Sequence, residues 1–197
     1  ILMGISITQV TIQLTMTKEQ SLTLILQLMN NIIFHTNVLP NKLIKEIKTY
    51  VQDTVQDKRW QTSYHWPEFI RRTPYIPILS LDQNLSIYNQ VRKIFSKLFP
   101  PSKKFGMQVN YYRWPPHSYI PMHDDGHRVA AATIYLNKEW DPNWGGLFLY
   151  KREEDPQVNT FFHSYNCCVI NNNQILHGTS AVTSEAQDRE TVQVFWY

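Results

Sequence analysis

Pro121-Met122-His123-Asp124-Asp125-Gly126, answered further along by Ile175-Leu176-His177-Gly178, is the pair of stretches on which the reading of this chain turns. Alternate side chains of an extended strand point the same way, so the H-x-D step is expected to bring His123 and Asp125 to one face, while Asp124 points away. His177 supplies a second imidazole. Two neutral imidazoles and one carboxylate on one side of a metal leave the opposite positions open, a donor set that suits non-haem Fe(II).

Twelve residues after His177, Arg189 begins the run Arg189-Glu190-Thr191-Val192-Gln193-Val194-Phe195-Trp196-Tyr197, which has strong strand composition. An arginine projecting from that strand into an apolar, aromatic barrel is costly unless an anion meets it. A dicarboxylate would do so two-pronged on the planar guanidinium fork.

Four separate motifs carry a resemblance to a known family: the H-x-D step, the later histidine, Arg189, and the stretch from Arg128 to Asp141 with its Tyr135-Leu136-Asn137 end, returned by Gly145-Gly146-Leu147-Phe148. From about Met107 to the C-terminus the chain resembles the Fe(II)- and 2-oxoglutarate-dependent dioxygenases, within them the prolyl-hydroxylase-like branch. The resemblance implies His123, Asp125 and His177 as metal ligands and Arg189 as the grip on the distal carboxylate of 2-oxoglutarate, with the Tyr135 hydroxyl supporting the same group. Tyr112 matches a second active-site tyrosine, although Tyr111 can take that place. Arg128 is either a surface charge paired with Asp124 or a contact for substrate at the rim. Trp114, Trp60 and Trp66 are core aromatics or walls for substrate. The implied fold is a double-stranded β-helix (jelly roll, cupin-like), mainly β, packed by N-terminal α-helices. The implied reaction is hydroxylation of an unactivated C–H bond with O2, releasing succinate and CO2. A prolyl or other residue of a peptide or protein is the first candidate substrate, and a free amino acid or natural-product small molecule is the alternative.

The pattern along the chain agrees. Residues 5–16 alternate apolar and polar side chains like a strand whose partner the sequence does not identify. Thr17-Lys18-Glu19-Gln20 has the form of a capping box, leading into Leu22, Leu24, Ile25 and Leu28. A second helix is expected from Pro40-Asn41 to about Val55, with Leu43, Ile44, Ile47, Tyr50 and Val51 on one face. A third is expected from about Asp82 to Leu98, ended by Pro100-Pro101. Between these two, Lys58 to Pro67 is aromatic and basic and reads as a loop at the mouth of the site. From Phe105 onward about eight short runs separated by turn residues suggest two facing antiparallel sheets. The organisation expected is therefore an N-terminal segment 1–16, a helical support region 17–104 and a jelly-roll core 105–197, in one structural domain.

Composition sets the outer limits. The chain has 197 residues, 43% of them hydrophobic, enough for one substantial core. Its formal charge of +3 is mild and scattered, which argues against nucleic acid as partner. The two cysteines, Cys167 and Cys168, are adjacent and do not fit ordinary disulfide geometry, so a reducing, cytoplasmic compartment is expected. The most apolar window, Leu22 to Phe34, is too short and polar to span a bilayer, and no membrane partner is expected. No G-x-S-x-G elbow competes for the chemistry. The same three ligands also suit a hydrolytic zinc site or a non-catalytic cupin-like metal sensor, but those readings leave Arg189 and Tyr135 without a purpose. His35, His65, His127 and His163 read as structural or surface residues, and His117 lies nearer the mouth.

Overall fold

The computed structural model describes residues 32–54, 60–63, 76–126, 128–172 and 175–197. The expected N-terminal strand and the Thr17 helix fall outside them, as do His65, Trp66 and His127. The described residues form two antiparallel sheets, one covered on its outer side by two helices.

The larger sheet holds seven strands. In chain order they are β1 (Ile33–His35), β2 (Trp60–Ser63), β3 (Ile76–Ser80), β4 (Met107–Trp114), β6 (Ala130–Tyr135), β9 (Cys168–Asn172) and β11 (Arg189–Trp196), arranged β1-β9-β6-β11-β4-β3-β2. The smaller sheet runs β5-β10-β7-β8, from β5 (Ile120–His123), β10 (Leu176–Thr179), β7 (Phe148–Lys151) and β8 (Asn159–Phe161). Eight strands, β4 to β11, follow Phe105 among the described residues, as expected.

Period-two alternation divides the larger sheet between two environments. Met107, Val109, Tyr111, Ala130, Ala132, Ile134, Val192, Val194 and Trp196 face the helices and share one apolar core with them. The alternate residues Tyr112, Trp114, Ala131, Thr133, Arg189, Gln193 and Phe195 line a cavity facing the smaller sheet. Helix α1 (Asn41–Asp53) buries Leu43, Ile44, Ile47 and Val51, and α2 (Ser86–Leu98) buries Ile87, Tyr88, Val91 and Phe95. Tyr88 donates from its hydroxyl to Met107 O at 2.6 Å, and Phe95 and Phe99 pack on Trp196 with ring centroids 5.3 and 5.1 Å away. No described helix is long and apolar enough to cross a membrane.

Three expectations need correction. α2 begins at Ser86 rather than Asp82, because the Asp82 carboxylate accepts the Asn84 N–H at 2.7 Å and Leu85 N bonds back to Asp82 O, a turn that competes with helix. Trp60–Ser63 is not loop but an edge strand paired with β3, and the Trp60 ring meets Tyr111 edge-on on the helix side of the sheet. The region before Phe105 is more than helical support, since β1, β2 and β3 all belong to the larger sheet.

Candidate active site

A cavity of about 430 Å³ lies between the sheets, and His123, Asp125, His177 and Arg189 all border it. β5 and β10 place the histidines directly opposite one another in register, with ring centroids 4.4 Å apart. Gly178 makes this approach possible: a Cβ there would lie 2.8 Å from Ile120 O. Each histidine turns Nδ1 to the carbonyl two residues before it, His123 to Pro121 O and His177 to Ile175 O, both at 2.8 Å. A carbonyl only accepts, so Nδ1 carries the hydrogen and Nε2 keeps its lone pair for a metal. Burial holds the His177 pKa below its ordinary value, while the Asp125 charge pulls it upward.

Asp125 does not reach the site as the sequence suggested. β5 ends at His123, so strand alternation stops there and Asp125 enters from the loop, closed by a bond from Arg128 N to Asp125 O. Its Oδ2 is buried without a hydrogen-bond partner and lies 3.6 Å from His177 Nε2. Ligand atoms of His123, Asp125 and His177 all lie within 4.8 Å of one another, the one such grouping among the described residues. Asp124, by contrast, is exposed and accepts from Gly126 N at 3.0 Å.

Arg128 pairs with Asp125, not with Asp124: its Nη1 donates to Asp125 Oδ1 at 2.8 Å, and its guanidinium lies 3.8 Å over the Phe195 ring. This occupies one carboxylate oxygen and leaves the other turned to the histidines. Tyr112 and Trp114 stack at 5.5 Å and line the cavity. Tyr111 is on the opposite face, where its hydroxyl donates to Glu190, which also accepts from Lys48 Nζ at 2.6 Å. Strand parity thus puts Tyr112 on the cavity side, while Tyr111, the alternative active-site tyrosine and substrate-contact candidate, and Trp60 lie on the helix side.

At the closed end Arg189 is 1% exposed, with its guanidinium 5.2 Å from the Trp114 ring centre and 4.9 Å from that of Tyr135. Its Nε and Nη1 and the Tyr135 hydroxyl have no hydrogen-bond partner. Burial lowers the Arg189 pKa and raises that of the Tyr135 phenol, which stays a protonated donor. A cation and an O–H left unmet in a buried place are what an acidic ligand would satisfy. The donor set and this end of the cavity therefore fit an iron ion and a dicarboxylate.

Residues 107–197 match the 2OG-Fe(II) oxygenase superfamily. Over that stretch, 91 of its 197 residues, the chain is similar to the 2OG-Fe(II) oxygenases. No curated protein matches the chain by sequence. Among solved structures, a prolyl-4-hydroxylase from Pseudomonas putida superposes with a TM-score of 0.67 at 14% identity, over 89% of this chain and 97% of that one. A prolyl hydroxylase from Trichoplax adhaerens, in complex with a hypoxia-inducible-factor oxygen degradation domain peptide fragment, gives 0.67 at 13%, over 93% and 94%. HygX from Streptomyces hygroscopicus, with nickel and 2-oxoglutarate bound, gives 0.62 at 13%, over 92% and 87%. At such identities these likenesses speak for the fold. Fe(II) and 2-oxoglutarate are the cofactors that superfamily's name gives, and the His123, Asp125 and His177 grouping and the buried Arg189 fit them.

Two residues of the closed end had no role in the sequence reading. His163 stacks on Tyr135, and Gly146 packs against Arg189, where a Cβ would lie 2.9 Å from Arg189 Cδ. The Gly-Gly step was visible in the sequence. Nothing in the pattern marks His163, which follows β8 in an irregular turn.

Proposed function

We propose that this oxygenase hydroxylates an unactivated C–H bond of a prolyl or other amino-acid residue within a peptide or protein. In this reading His123, Asp125 and His177 hold Fe(II), Arg189 and Tyr135 bind the distal carboxylate of 2-oxoglutarate, and Tyr112, Trp114 and Arg128 face the substrate. The observation that carries it is the shared cavity: three metal-type ligands at one side and a buried arginine with unmet donors at the other.

The bound cofactors supply the oxidising power that turns C–H into C–OH, with O2 consumed and succinate and CO2 released. The chain's own residues do the rest. Two Nδ1–H bonds to main-chain carbonyls fix the imidazole orientations, and Arg128 fixes the carboxylate. Arg189 and the Tyr135 hydroxyl donate to the cosubstrate, orienting it before the substrate arrives. Aromatic walls at Tyr112, Trp114, Phe148 and Phe195 keep water from the reacting carbon.

Substrate size is the open choice within this class. Among proteins of the same fold one holds a peptide fragment, and HygX is also seen with hygromycin B bound, a small molecule. Past Arg189, the cationic side chain lining the cavity is Arg128, and Asp125 already offsets it. A neutral residue within a peptide suits such walls better than a free zwitterion.

The test is an anaerobic titration with Fe(II) and then 2-oxoglutarate, followed by visible absorbance, with Asp125→Ala as control. The charge-transfer band of a chelated keto acid should form in the parent and be lost in the variant. Succinate release is then screened with proline-containing peptides and with free amino acids. Stimulation by free amino acids alone would replace the peptide reading with the small-molecule one.

A further inference from the structure

His163 is 1% exposed, and both of its ring nitrogens lack a hydrogen-bond partner. Its placement therefore rests on aromatic neighbours. The ring lies nearly parallel to Tyr135, with centroids 4.1 Å apart and planes 13° from coplanar, and Trp140 meets it at 5.4 Å. Trp140 is itself fixed by a bond from Nε1 to Gly145 O at 3.0 Å. The Tyr135 ring also meets the Arg189 guanidinium at 4.9 Å and the Phe161 ring at 6.5 Å, and it packs in a buried cluster with Phe148, Cys167 and Val169. The Tyr135 hydroxyl makes no hydrogen bond of good geometry, its polar neighbour being the Arg189 guanidinium, so the plane of the phenol is set chiefly by packing. His163 makes the closest ring contact Tyr135 has.

We propose that His163 is a positioning residue for 2-oxoglutarate: its stacked ring holds the Tyr135 phenol in the pose from which the hydroxyl, beside Arg189, donates to the distal carboxylate. The inference rests on the clamp assignment made above. His163 does not border the cavity and acts only through Tyr135. Burial, and to a lesser degree the Arg189 charge, hold its pKa down to about 2, so the ring works uncharged and adds no second cation to the anion site. A flat neutral ring is what the stacking needs.

The experiment is calorimetric titration of 2-oxoglutarate into metal-free and Mn(II)-loaded protein, for the parent and for His163→Ala, His163→Phe, Tyr135→Phe and the His163→Ala/Tyr135→Phe double variant. His163→Ala is expected to raise the 2-oxoglutarate Kd about tenfold while Mn(II) affinity stays within twofold, and His163→Phe, which keeps a stacked ring, is expected to restore most of the loss. In the double variant the alanine should add little to the effect of Tyr135→Phe, because the hydroxyl it positions is gone. Three results would each overturn the proposal: an unchanged Kd in His163→Ala, equal losses of metal and cosubstrate affinity, or full additivity in the double variant. The clamp reading itself is judged separately, by whether Arg189→Met weakens the binding that the parent shows by about tenfold or more.

Discussion

Arg189 is a buried cation, and among the described residues no carboxylate pairs with it. Its replacement should therefore pull stability and binding in opposite directions. Arg189→Met removes an uncompensated charge, so the protein without cosubstrate should become more stable by roughly 1–3 kcal/mol in urea denaturation. The same variant should lose about 1.5–3 kcal/mol of 2-oxoglutarate affinity with metal binding intact. A destabilised variant would mean that the guanidinium is already satisfied. Arg128 acts on the other half of the site: Arg128→Leu frees the Asp125 carboxylate to rotate and should weaken metal binding roughly 10–100-fold, read by competition with a chromogenic chelator. That His123, Asp125, His177 and Arg189 meet on one cavity was legible because each stands in a motif with its own spacing. The pairing of Arg128 with Asp125 was not legible, because Asp125 stands in the loop geometry after β5, and residue patterns do not carry loop geometry.

Gly146 shows how an element, rather than a residue, positions the arginine of the proposed clamp. It follows the 3-10 turn Pro142–Trp144, has φ of 63° in the left-handed region, and backs directly onto Arg189. Gly146→Ala meets both a strained backbone and a collision with Arg189 Cδ, so about 1–2 kcal/mol of stability and a comparable share of 2-oxoglutarate affinity should go together. Equal binding in the alanine variant would show that the arginine can shift aside without cost. The strands after Phe105 were readable because alternation is strict where one face meets helices and the other a cavity. β1 and β3 were not: β3 carries Pro77, which cannot donate to a strand ladder, and β1 lies at the end of the apolar window Leu22 to Phe34 with no alternation of its own. β2 was hidden in a stretch whose tryptophan and arginine suggested a mouth. The Asp82 turn could have been anticipated, since Asp is as ready to bond the backbone two residues on as to cap a helix.

Acid should expose a weakness of the whole molecule. The folded-state pKa of His163, about 2, lies far below its unfolded value of 6.5. The unfolded chain therefore binds a proton that the folded one refuses, and stability falls as pH drops below 6.5. The contribution lost by about pH 5 is roughly 2 kcal/mol, and nothing is lost above neutrality. His163→Phe should flatten that part of the pH–stability curve, measured by denaturation at both pH values; an unchanged slope would mean that the imidazole takes up its proton in the folded state.

β11 lies between β6 and β4 in the interior of the seven-stranded sheet, whereas β5, which carries His123, is an edge strand of the four-stranded one. Interior amides exchange with solvent deuterium only through large openings, while an edge strand can fray on its own. The clamp should then persist after the metal end has come apart, and loss of iron would be a local event, reversible without refolding. Chelator-treated protein should accordingly show faster deuterium uptake at Ile120–His123 and unaltered protection along Arg189–Trp196.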